Sequence, residues 1–187
     1  FYSRRSIIKR QFQGKVVLFN DTFMNYNYPS IGVAATRLLE SAGFQVILVD
    51  RKCCGRPMIS KGFLDMAKAN AQYNVALLYP HVEGGAYVVG CEPSCLLTLR
   101  DEYPDLLSSP EARKVAERTF LLEEFLQMLN VEGRLGLEFR ETPKNVLFHG
   151  HCHAKALVGT SPTLEVLRLV PGFDVKESGA GCCGMAG

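Results

Sequence analysis

The chain has 187 residues, 47% of them hydrophobic, with 21 lysines and arginines against 19 aspartates and glutamates and a net charge of +2. That is enough apolar material for one substantial core or two small lobes packed together, and so balanced a charge counts against a nucleic-acid partner. No apolar run approaches the roughly 20 residues of a membrane helix and no signal-peptide pattern opens the chain, so a soluble, cytoplasmic protein is expected, tied to a membrane only through partners.

The only basic cluster, Arg4, Arg5, Lys9 and Arg10, reads as a solvated arm. Residues 15–20 form a short apolar run of strand type, and 21–29, rich in Asn and Tyr, read as a loop. Over 30–42, Ile31, Ala34, Ala35, Leu38, Leu39 and Ala42 recur at helical spacing with Gly43 as the terminator, and 45–49 is a second strand. Strand, helix, strand opens a parallel α/β unit. Beyond Cys53-Cys54-Gly55-Arg56-Pro57, apolar spacing predicts a helix over 61–79 ended by Pro80, with His81 in the following loop. Residues 86–90 form a third strand that runs into Cys91-Glu92-Pro93-Ser94-Cys95. A helix over 96–102 follows and is closed by Pro104, and Cys95 falls near its N-terminus, where the dipole favours a thiolate. A single amphipathic helix is expected over 110–130, and 131–144, with Gly133, Gly136 and Pro143, reads as a connector. Residues 145–149 then form a strand, followed by His151-Cys152-His153, by a helix capped by Ser161 with Pro162 first, and by a strand over 173–175.

The tripeptide Cys53-Cys54-Gly55 returns as Cys182-Cys183-Gly184, 129 positions later. The same gapless offset lays Val17-Leu18-Phe19 on Val146-Leu147-Phe148 and Gly43-Phe44 on Gly172-Phe173, which is an internal repeat. The expected architecture is therefore α/β with two Rossmann-like lobes on short parallel sheets. The first lobe covers 15–130 and the second 145–187, read as truncated because the repeat offset puts its counterparts of Cys91 and Cys95 near position 220; a chain that begins without Met and ends three residues past the second motif is read as one segment of a longer polypeptide.

Seven cysteines, four of them in adjacent pairs, fit poorly with a secreted disulfide framework. Adjacent Cα atoms lie about 3.8 Å apart, below the roughly 4.4–6.8 Å of a relaxed disulfide, whereas neighbouring thiolates can both ligate metal. All the cysteine groups fall at the carboxyl ends of predicted strands, where open parallel sheets place ligands. Collected there, thiolates suit soft metals and iron–sulfur clusters. A structural zinc site and buried or redox-active free thiols remain alternatives, although only Cys91 and Cys95 approach the spacing of a zinc knuckle. His149, His151 and His153 alternate and would share one face of an extended segment, as ligands or as hydrogen-bond donors beside a metal. Arg56 and Lys155 lie near the cysteine corners and are read either as holding an anion or as surface charge.

The repeated Cys-Cys-Gly, the upstream Cys152 and the segment Gly90-Cys91-Glu92-Pro93-Ser94-Cys95 resemble the cysteine-rich CCG domain. That domain occurs in heterodisulfide reductase and in the iron–sulfur subunits of glycolate, D-lactate and glycerol-3-phosphate dehydrogenases. With Asp21-Thr22-Phe23 and His149-Gly150-His151-Cys152-His153, the chain is most similar to the C-terminal part of FAD-linked oxidases that also carry ferredoxin-type clusters.

The resemblance implies a [4Fe–4S] cluster, of the non-cubane type of heterodisulfide reductase. It also implies FAD on another domain or subunit, and as partners a flavoprotein and a ferredoxin-type cluster domain; the electron acceptor is left open. Cys152, Cys182 and Cys183 would ligate a cluster completed downstream. Cys53, Cys54, Cys91 and Cys95 would form a degenerate site lining the same cleft, because Phe23 stands where the first copy would carry its counterpart of Cys152, and three residues rather than two separate Cys91 from Cys95. His149, His151 and His153 would support the ligands from behind. The implied role is an electron-transfer module of a flavin-linked 2-hydroxy-acid dehydrogenase. Two alternatives stand beside it: a metal-stabilised scaffold that docks dehydrogenase partners, and a thiol/disulfide reductase centre.

Overall fold

A computed structural model describes residues 12–181, so the N-terminal basic cluster, Cys182 and Cys183 lie outside the described residues. The chain forms two compact units that part between Leu122 and Glu123.

In the first unit, β1 (Gly14–Leu18) pairs in parallel with β2 (Phe44–Ile47) on one side and with β3 (Tyr87–Gly90) on the other, and β3 pairs in parallel with β4 (Thr119–Leu121). The sheet order β2-β1-β3-β4 puts β1 at the centre. Its Val16, Val17 and Leu18 are all buried, as a strand covered on both faces requires. Because the chain winds from β1 to β2 in one direction and then to β3 in the other, the carboxyl ends of β1 and β3 flank a topological switch point, the usual crevice for ligands in such sheets.

The helices of this unit depart from the sequence expectation where capping and packing outweigh composition. Residues 21–29 are not a simple loop: buried Asp21 accepts a hydrogen bond from the Met24 amide and caps α1 (Thr22–Tyr26). The next helix, α2 (Pro29–Ser41), ends as expected at Gly43, whose φ of 86° suits glycine alone. After Gly55 comes a short α3 (Arg56–Ser60), which apolar spacing does not foretell. Pro80 does not end the next helix, because α4 (Leu64–Glu83) carries it in its last turn, and Leu78 and Val82 on either side are buried. His81 therefore belongs to that helix and not to a loop. Pro104 closes nothing either: α5 (Pro93–Arg100) ends before it, and Pro104 sits in the first turn of α6 (Glu102–Leu107), where its missing N–H is harmless. The expected 110–130 helix divides into α7 (Pro110–Glu117), β4 and α8 (Leu122–Val131), and all of α8 but Leu122 falls in the second unit. No glycine or proline marks the breaks, and β4 is dictated by its pairing of Thr119 with Val88.

The second unit holds β5 (Lys144–Phe148), α9 (Cys152–Leu157), α10 (Ser161–Arg168) and β6 (Phe173–Glu177), with the two strands parallel. This repeats β1, α1, α2, β2 element for element, and Gly172 matches Gly43 down to its φ of 86°. The cap of α10 is Thr160, one residue earlier than expected, with Ser161 already helical. Burial separates the two copies: Leu18 is 1% exposed and its counterpart Leu147 74%. Among the described residues β5 has a strand on one side alone, whereas β1 has one on each.

Candidate metal centre

The corner after β2 is built around glycine. Gly55 adopts φ 92°, a left-handed conformation that reverses the chain and that a side chain would strain, although Ala67 of α4 leaves room for a Cβ at ordinary contact distance. Pro57 in the first turn of α3 then stiffens the exit. This turn aims two backbone amides at two sulfurs: Gly55 N–H toward Cys53, and Arg56 N–H toward Cys54 Sγ at 3.5 Å. Such donors are suited to a thiolate or to sulfur bound to metal.

Cys54 is buried beneath the corner, with its thiol in hydrogen-bond contact with those of both Cys53 and Cys95. Three sulfurs from two elements, the β2–α3 loop and the first turn of α5, are thus brought together at the carboxyl edge of the sheet. Cys91 follows directly after β3 and is part-buried. Cys53, Cys54, Cys91, Cys95 and Cys152 are not joined in disulfides. Cys95 does lie in the first turn of α5, but that helix end is occupied: the Glu92 carboxylate accepts from the amides of Ser94 and Cys95, at 3.2 and 2.5 Å. The negative charge stabilised by the α5 dipole is therefore that of Glu92.

The protonation of the thiols follows from the crowding. The hydrogen bond to Cys54, and then burial, push the Cys53 thiol up. For Cys54, the hydrogen bond from Cys53 lowers its pKa but is outweighed by the contact with Cys95 and by burial, leaving it at about 12. Both are neutral near pH 7 unless a cation compensates, and a metal ion held there would supply that charge.

The segment leading into the pair is fastened residue by residue. The carbonyl of Asp50 accepts from the Tyr73 hydroxyl at 3.1 Å, and the Arg51 guanidinium donates to the Asn20 carbonyl while lying 5.2 Å over the Phe19 ring. Asn74 of α4 accepts from the Lys52 amide at 2.8 Å and donates toward the carbonyls of Lys52 and Cys53 at 3.2 and 3.4 Å. It also donates to the Tyr103 hydroxyl at 2.9 Å, and that hydroxyl donates to the Cys54 carbonyl at 2.9 Å. Arg56 forms an ion pair with Glu102 of α6, so it braces the corner and is not held out toward an anion.

Sequence reasoning misses Asn74, Glu102 and Tyr103. The one signal is at Asn74, a polar residue within the apolar face that carries Ala71, Val75 and Leu78.

In the second unit, Cys152 is exposed and begins α9. The three histidines do not share a face, because the chain turns helical at Cys152. His149 Nδ1 contacts Ser178 Oγ at 3.0 Å, His151 caps α9 by accepting from the His153 amide at 3.2 Å, and His153 lies in the first turn. Lys155 donates to the carbonyls of Ala180 and Gly181, the latter at 3.2 Å. It thereby ties down the residues before Cys182, as Arg51 does before Cys53. Phe23, the counterpart of Cys152 in the first copy, is 54% exposed and adds no sulfur.

The donor set of the first unit fits a thiolate-bound metal group: the Cys54 sulfur in contact with those of Cys53 and Cys95, amides directed at two of the three, and a rigid backbone beneath. Comparison with known proteins matches the segment that contains this corner. Residues 17–100 match the family model of the CCG cysteine-rich domain, which shows the resemblance carried by the motifs. Among curated proteins, the chain is 34% identical over 179 residues to a subunit of the anaerobic glycerol-3-phosphate dehydrogenase of Escherichia coli K12, covering 95% of this chain and 45% of that protein. It is 28% identical over 185 residues to lactate utilization protein A of an Exiguobacterium species, covering 92% and 71%. It is also 28% identical over 182 residues to lactate utilization protein A 2 of Bacillus cereus strain Q1, covering 92% and 72%. The chain thus spans less than half of the glycerol-3-phosphate dehydrogenase polypeptide that it matches. No solved structure matches.

Proposed function

We propose that this chain is an electron-transfer module of a flavin-linked dehydrogenase whose substrate is a small hydroxylated acid or phosphate. Its cysteines would hold an iron–sulfur cluster, and FAD would reside on another domain or subunit. The observation that carries the reading is the meeting of Cys53, Cys54 and Cys95 at the carboxyl edge of a parallel sheet, within the segment that matches the cysteine-rich family. Relatives named as part of a dehydrogenase and as lactate utilization proteins support the reaction class.

A cluster would supply one-electron storage. The chain's own residues supply the rest: Cys53, Cys54 and Cys95 as ligands, with Cys91 beside them, and the Gly55 and Arg56 amides directed at sulfur. By the repeat, Cys152, Cys182 and Cys183 are the corresponding ligands of the second copy, with His149, His151 and His153 around them. The two CCG-type lobes, 15–130 and 145–187 joined by 131–144, are part of this proposal. One observation favours a scaffolding share for the first lobe: exposed Phe23 stands where a counterpart of Cys152 would lie.

Iron and acid-labile sulfide analysis of the intact, anaerobically purified protein tests the reading. Iron and sulfide in equal amounts, reduced in Cys54→Ser and Cys95→Ser, are expected. Stoichiometric zinc without sulfide would replace the redox role with that of a metal-braced scaffold.

A further inference from the structure

Asn74 and Tyr103 are both 0% exposed, and both spend their polar groups on the main chain of the double cysteine. They come from different helices, α4 and α6, neither adjacent in sequence to the corner. Between them they engage three consecutive residues: both backbone groups of Lys52, the carbonyl of Cys53 and the carbonyl of Cys54. The bonds run in series, from the Asn74 amide to the Tyr103 oxygen and from the Tyr103 hydroxyl to the Cys54 carbonyl. Donor and acceptor roles are fixed at every link, because an amide N–H can only donate and a carbonyl can only accept. An apolar pair would fill the same space but leave the Lys52 amide and the carbonyls of Lys52, Cys53 and Cys54 without these partners. With the amide and phenol in place, the buried bonds hold that main chain in one geometry.

We propose that Asn74 and Tyr103 are positioning residues that preset the Cys53-Cys54 main chain, so that both thiols face the metal before it binds. The inference rests on the reading of these cysteines as metal ligands. It deepens that reading by assigning the geometry of the site to two residues that do not ligate. The pair holds the main chain of the two cysteines, while the Gly55 and Arg56 amides of the exit turn meet their sulfurs.

The test uses the intact protein, purified anaerobically, as wild type, Tyr103→Phe, Asn74→Ala and Leu78→Ala. The last removes an equally buried side chain one turn along α4 and controls for loss of stability alone. Three quantities are measured: hydrogen–deuterium exchange at the Lys52 amide, the rate at which a chelator removes iron, and the EPR line positions of the bound iron.

Asn74→Ala should speed Lys52 exchange roughly tenfold, as expected when that amide loses its one bond to the Asn74 side chain, and both Asn74→Ala and Tyr103→Phe should speed iron removal by about tenfold or more. Both should also shift the EPR lines. Leu78→Ala should lower the melting temperature with the lines unmoved. Wild-type exchange, iron removal and line positions in folded Tyr103→Phe and Asn74→Ala would overturn the proposal, as would equal changes in Leu78→Ala. If Asn74→Ala does not fold, the nearly isosteric Tyr103→Phe decides alone. Full iron retention in the Cys53→Ser, Cys54→Ser double variant would instead refute the ligand reading itself, and Lys52 exchange would still report whether the pair holds the corner.

Discussion

Cys54 is 1% exposed, and its sulfur lies between two others at the floor of the site. Its pKa moves from an ordinary 9.0 to about 12: the Cys53 hydrogen bond lowers it, while the Cys95 contact and burial raise it by more. A group that binds its proton more tightly when folded contributes stability that is complete below its unfolded pKa and is lost as pH rises through its folded one. The metal-free protein should therefore lose stability between pH 9 and about 12. Thermal melts across that range should show a shallower decline in Cys54→Ser, and an equal decline in the two proteins would refute the assignment. Metal binding removes the same proton by coordination, so iron uptake should improve as pH rises toward the thiol pKa.

The elements show why the sequence announced one copy of the repeat more truthfully than the other. Val17-Leu18-Phe19 and Val146-Leu147-Phe148 read alike, and both form strands. Burial, however, depends on neighbours that composition does not name. Leu18→Ala, in a strand paired on both sides, should cost about 2–5 kcal/mol in chemical denaturation, whereas Leu147→Ala, 74% exposed, should cost under about 0.5 kcal/mol. A comparable loss at both positions would mean that β5 is covered as β1 is.

The same distinction marks what was legible. The parallel strands, the glycine stop of α2 and the place of the cysteines at the carboxyl ends follow from apolar runs and Gly-Phe pairs. The cap made by Asp21, the survival of α4 past Pro80 and the insertion of β4 between α7 and α8 do not, since each is decided by a single side chain or by a pairing partner distant in sequence. In the site, cysteines are visible as letters, but Asn74, Glu102 and Tyr103 acquire their role only when α4 and α6 pack beneath the corner.

At the scale of the molecule, the two units share one plan: a parallel strand pair, a short helix after the first strand, and a tether from that region to the residues preceding a double cysteine. In the first unit the tether is Arg51 on Asn20; in the second it is Lys155 on Ala180 and Gly181. No helix among the described residues is long and apolar enough to cross a membrane. The central claim is that the cysteine corner holds a redox-active cluster. An EPR-monitored redox titration of the intact protein beside its Cys53→Ser, Cys54→Ser double variant tests it most directly. The account predicts a reversible signal in the wild type that is lost or shifted in the variant. An identical titration in both proteins, or no paramagnetic species at any potential, would contradict it.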